Sequence, residues 1–167
     1  MMRGRTGQVV VAVVVIASGL IAWRVLAGGE EAAIHRRLAE LVERVNSPAG
    51  EGLGAVSHAA DVGSYFTDDV VIDLGGGTSP IQGRTMLVGM AARLQPRLAV
   101  YRLSLDDINV ELDEPESTAQ VQLTASFTTR SAATGQDSLD AREFSLIMRS
   151  ERGTWRIARV TSVDTLR

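Results

Sequence analysis

The stretch Phe66-Thr67-Asp68-Asp69-Val70-Val71-Ile72-Asp73-Leu74, closed by Gly75-Gly76-Gly77, decides how the rest of the chain is read. Three consecutive β-branched residues bounded by glycines predict a strand, and here helical periodicity gives way to strands. Upstream, EEAAIHRRLAELVERV sets Ile34, Leu38, Leu41, Val42 and Val45 at helical spacing. Glu30 and Glu31 suit that helix's positive N-terminal end, and SPAGEG closes it. A second, shorter helix is expected from Leu53 to Tyr65, with Leu53, Val56, Ala60 and Tyr65 turned inward.

Downstream of the glycines, PIQG leads into a third helix from Arg84 to Leu94, striped by Met86, Leu87, Met90 and Leu94 and stopped by Pro96. The remainder alternates apolar and polar residues at period two. Leu103-Leu105 and Ile108-Val110-Leu112 precede the turn DEPES; Val121 to Phe127, Phe144 to Met148 and Trp155 to Val163 follow as strands. Glu151-Arg152-Gly153 reads as a tight hairpin turn. Such alternation gives a sheet one apolar and one polar face. Helices first and strands afterwards imply an α+β domain, with N-terminal helices packed on a curved antiparallel sheet.

The chain of 167 residues accommodates one domain and appendages. It has no cysteine, which excludes disulfides, thiolate nucleophiles and Cys-ligated zinc. It also has no lysine: all 17 cations are arginines, which reads as codon bias in a GC-rich genome. From Glu30 to Arg167, fourteen arginines face twenty acids, a net charge of −6. A net acidic domain without a basic block argues against nucleic acid as a partner.

Residues 1–8 form a short basic tail with Arg3 and Arg5, and residues 9–27 an apolar run interrupted only by Arg24. Nineteen residues suffice to span a bilayer, with Trp23 at the interface and Arg24 reaching the headgroups. The competing reading is a cleaved signal peptide ending at Val25-Leu26-Ala27. The length of the run and Arg24 within the would-be cleavage region favour a retained anchor. Residues 28–33 then serve as linker and residues 34–167 as the domain. The expected location is a bacterial inner membrane, single-pass, with the domain on the periplasmic, extracytoplasmic side.

The element order resembles the nuclear transport factor 2-like superfamily, in particular its SnoaL-like members of cystatin-like fold. The residues carrying the resemblance are Phe66 to Asp73, the turn Pro80-Ile81-Gln82-Gly83-Arg84 and the closing Gly153-Thr154-Trp155-Arg156-Ile157-Ala158-Arg159. The resemblance implies a cone-shaped domain whose cavity serves enzymes, carriers and scaffolds alike. In ketosteroid-isomerase-like relatives it puts Leu74 at the general-base position with Asp73 beside it, and Leu146 where a second acid would stand. No tyrosine lies in the first helix to serve as oxyanion donor. The implied cavity lining is apolar: Val70, Ile72, Leu74, Phe127, Phe144, Leu146, Met148 and Ile157.

The catalytic candidates that remain are Asp73 and His58, since a general base needs a positioned carboxylate or imidazole. His35, in the run His-Arg-Arg, reads as solvated, and two isolated histidines do not make a metal site. An Asp-Arg-Asp network of the epoxide-hydrolase type would draw on Asp73 and Asp140 with Arg102 or Arg142; the plainer reading is surface ion pairs. No cofactor is implied. The resemblance extends to single-span envelope subunits of type IV secretion and mammalian-cell-entry lipid transport. It therefore implies a binding or assembly module with a small hydrophobic ligand, and a homodimer or an envelope protein partner on the polar sheet face. The alternative is a SnoaL-like cyclase, isomerase or hydrolase using Asp73 as base.

Overall fold

The computed structural model describes residues 29–48, 52–94, 101–113, 117–130 and 136–163. The basic tail and the apolar run 9–27 lie outside the described residues, as does Pro96. Among the described residues no helix is long and apolar enough to cross a membrane. The chain divides into two units, Met1–Ala33 and Ile34–Arg167, and the second carries the sheet.

Helix α1 (residues 29–46) buries Ile34, Leu38 and Leu41, the stripe its periodicity predicts. Helix α2 (Leu53–Gly63) buries a different face from the expected one. Ala55, His58 and Ala59 are buried, whereas Leu53 and Val56 are 88% and 52% exposed. The small residues win because they let α2 approach its neighbours closely. A Cβ at Gly63 would overlap Val88 of helix α3 (Arg84–Leu94). On α3 the stripe is likewise displaced, with Met86 and Met90 exposed and Leu87 and Val88 half-buried.

Strand β1 (Phe66–Asp73) occupies the predicted stretch. The turn PIQG contains a two-residue strand, β2 (Ile81–Gln82), paired antiparallel with Val71 and Ile72 of β1. The meander comprises β3 (Tyr101–Asp113), β4 (Thr118–Arg130), β5 (Asp137–Glu151) and β6 (Thr154–Ser162). The six strands follow the order β2-β1-β6-β5-β4-β3. The sheet is mixed rather than antiparallel throughout, because β1 pairs parallel with β6. With β2 on one edge of β1, its other edge is free for the last strand of the meander, which runs the same way.

The two short apolar runs before DEPES are one strand. Leu103 and Leu105 occupy odd positions, and Val110 and Leu112 even ones. Keeping both sets on one face requires an extra residue, and β3 bulges between Asp106 and Asn109 with Asp107 at φ 53°. The face toward the helices, the inner face, buries Val70, Ile72, Val121, Leu123, Leu146, Met148, Trp155 and Ile157.

Candidate ligand-binding face

The inner face is uneven along its length. Val70 and Met148 are fully buried, and Ile72, Leu146 and Ile157 are nearly so. These five expected lining residues are core. Toward the far end of β4 and β5 the cover thins. Leu74 is 45% exposed, Phe127 is 43% exposed and Phe144 is half-buried. The register aligns Phe144 between Leu123 and Ser162, Arg142 beside Ala125, and Phe127 between Leu103 and Asp140. Since alternate residues share a face, Phe127, Phe144, Arg142 and Asp140 form one neighbourhood at an open end.

The candidate base Asp73 follows the opposite phase. Val70 and Ile72 share the inner side, so Asp73 shares the outer side with Val71. Its Oδ1 accepts the Gly75 N–H at 3.0 Å, closing an Asx turn into the glycine loop. His58 is buried, 7% exposed, and its Nε2 has no hydrogen-bond partner. Asp73 closes its turn on the outer side, His58 is buried in α2, and no hydrogen bond joins the two candidates. His35 is half-buried rather than solvated. Arg142 pairs with Asp140 at 3.4 Å, both side chains more than half exposed, and Arg102 is exposed. This is a surface pair, without Asp73.

Two charged clusters escaped the sequence reading because each depends on neighbours remote in the chain. Arg149 reaches from β5 across β6 to Asp69 on β1 and donates to the Thr67 hydroxyl at 3.3 Å. A hydrogen bond from Thr67, then the Arg149 guanidinium, hold the Asp69 carboxyl below its ordinary range. On the helix side, Arg84 pairs with Asp68. A third feature is Asn46, whose side chain donates to Leu103 O at 2.8 Å and accepts from Leu103 N at 2.7 Å. Its carboxamide thereby imitates a neighbouring strand on the free edge of β3. Among the described residues no three His, Asp or Glu side chains are grouped to hold a metal.

This architecture, helices over a curved mixed sheet with a partly open inner face, defines a class. Residues 56–161 match the SnoaL-like domain, and the chain belongs to that family. No curated protein matches the chain significantly. Among solved structures, it is similar to an NTF2-like protein with a cystatin-like fold from Novosphingobium aromaticivorans, at TM-score 0.66 and 15% identity, covering 87% of this chain and 90% of that one. It is also similar to a protein provisionally named a scytalone dehydratase from the same organism, at TM-score 0.67 and 14% identity over 82% of this chain and 85% of the other. A Mycobacterium tuberculosis protein of unknown function gives TM-score 0.62 and 21% identity over 81% and 73% of the respective chains. At such identities the likeness establishes the fold alone.

Proposed function

We propose that this protein is a non-enzymatic binding module of the bacterial envelope, held at the membrane by residues 9–27, which takes a small apolar ligand at the open end of its inner face. The observation that carries this reading is the phase of Asp73. The carboxylate nearest the family's general-base position caps a turn on the outer face, and the residue at that position is the apolar Leu74. What faces the open end is instead Leu74, Phe127 and Phe144, apolar surface with an Arg142–Asp140 pair at its rim. Partly exposed aromatic and aliphatic side chains favour an apolar ligand over bulk water. Extraction of the purified, detergent-solubilised chain, with mass spectrometry of the extract, tests the reading. A stoichiometric apolar molecule lost in Phe127→Asp supports it; an extract free of such a molecule, with no binding of an apolar fluorophore at the open end, rejects it.

One observation favours the second reading, an acid–base enzyme. His58 keeps Nε2 unpartnered in the interior. A buried imidazole without a partner costs stability, which a role in proton transfer would explain. Turnover of a substrate abolished by His58→Gln, with the melting temperature preserved, would establish it.

A further inference from the structure

On the outer face of the sheet a half-open groove of about 300 Å³ lies over the β3 bulge. Asp107, Asn109, Gln122, Thr124, Glu143 and Val163 line it, together with Leu123 and Phe144. The bulge makes the groove: Asp107, at φ 53°, is the residue inserted where β3 and β4 lose register. Among the described residues no cationic side chain lines it, and none of its five polar side chains is engaged in a hydrogen bond or ion pair.

The lining restricts the ligand. Two carboxylates repel an anion. A neutral apolar body would strip water from five hydrogen-bonding groups and return no partner. A cation satisfies them, since an ammonium carries three donors and the groove offers carboxylate, carboxamide and hydroxyl oxygens. The spacing goes further. Asp106 and Glu143 pair with the same residue, Thr124, from opposite sides. Asp107, next to Asp106, and Glu143 therefore stand two strand spacings apart, about 10 Å. Two nitrogens separated by four or five methylenes, about 6–8 Å, suit that span, one to each carboxylate.

We infer that this groove binds a linear dication, an α,ω-diamine or an aminoalkylguanidine, with one nitrogen at Asp107 and the other at Glu143. Asn109, Gln122 and Thr124 accept the remaining N–H groups, and Val163 flanks the methylene chain. The groove shares Leu123 and Phe144 with the inner face, but its polar groups belong to the outer one, and the inference stands whether or not the inner face holds a ligand.

Calorimetric titration of the full chain in detergent micelles at low salt, with 1,4-diaminobutane and with n-butylamine, tests this. The diamine is expected to bind about tenfold tighter than the monoamine, because the second charge gains its own partner. Asp107→Asn, whose amide tolerates the same positive φ, and Glu143→Gln are each expected to weaken diamine binding about threefold to fivefold. Glu111→Gln and Asp113→Asn, which remove acids of the same face outside the groove, are expected to leave it within about twofold. Far-UV dichroism checks that each variant is folded. Equal affinity for the two amines, equal losses in all four variants, or no binding at low salt each overturns the inference.

Discussion

At the scale of single residues, Asn46 and Asp73 each satisfy backbone that would otherwise be left open. Asn46 completes the edge of β3 with two short hydrogen bonds. Asn46→Ala is expected to lower unfolding free energy by about 1–2 kcal/mol, read by urea denaturation, since each such bond contributes about 1 kcal/mol. Asn46→Asp keeps the acceptor but sets a carboxylate against the Leu103 carbonyl. It should be no more stable than the alanine variant at neutral pH, and a stability equal to that of the parent refutes the edge-strand role. For Asp73 the roles divide more sharply. If it only closes the Asx turn, Asp73→Asn leaves apolar-ligand binding unchanged and stability within about 0.5 kcal/mol, because an amide oxygen accepts the Gly75 N–H equally well. A large loss of function with intact folding would instead restore it as a base. Nothing in the sequence marks Asn46, whose partner lies 57 residues away. Asp73, by contrast, was legible as adjacent to the family's base position, and strand alternation alone then decides its face.

At the scale of elements, the predicted strands and helices were legible because their patterns are local. The inward faces of α2 and α3 were not. Periodicity weights large apolar residues such as Leu53 and Met86, while close packing of α2 on α3 selects Ala55, Ala59 and Gly63. Gly63→Ala is therefore expected to cost about 1–3 kcal/mol, as overpacking does, and Gly63→Ala combined with Val88→Ala should recover part of the loss. The parity change within β3 was visible as two runs, and its meaning as a bulge needed only the requirement that both face one core. The β5–β6 hairpin offers a gain. Arg152 and Gly153 both adopt positive φ, 53° and 77°, the pairing that suits Asn-Gly. Arg152→Asn should raise stability by about 0.5–1 kcal/mol, measured as a higher melting temperature, since a long side chain at positive φ is disfavoured.

At the scale of the whole molecule, the sheet is tied across its middle by charge. Asp69 on β1, Arg149 on β5 and the buried Thr67 join strands that are not neighbours. Because the folded state holds the Asp69 carboxyl below its ordinary range, this contribution is present above the unfolded value, about 3.9, and disappears as pH falls through the lower folded value. Denaturation midpoints measured from pH 6 down to pH 2 should therefore fall below about pH 4 in the parent, and fall less steeply in Asp69→Asn. The pair is exposed, so solvent limits the difference to a modest one, and added salt should shrink it. The membrane anchor belongs to the same scale and rests on the apolar run 9–27. Its length fits a bilayer and Arg24 lies where headgroups would be, so the full chain is expected to resist alkaline carbonate extraction from bacterial membranes. A chain begun at Gly29 should then be released in soluble form with the same dichroic spectrum, because Ile34–Arg167 forms its own compact unit. Recovery of the full chain in the carbonate supernatant, shortened by about 27 residues, would instead assign the run to a cleaved leader. It would leave both proposed sites as they stand, since the residues named for each belong to Ile34–Arg167.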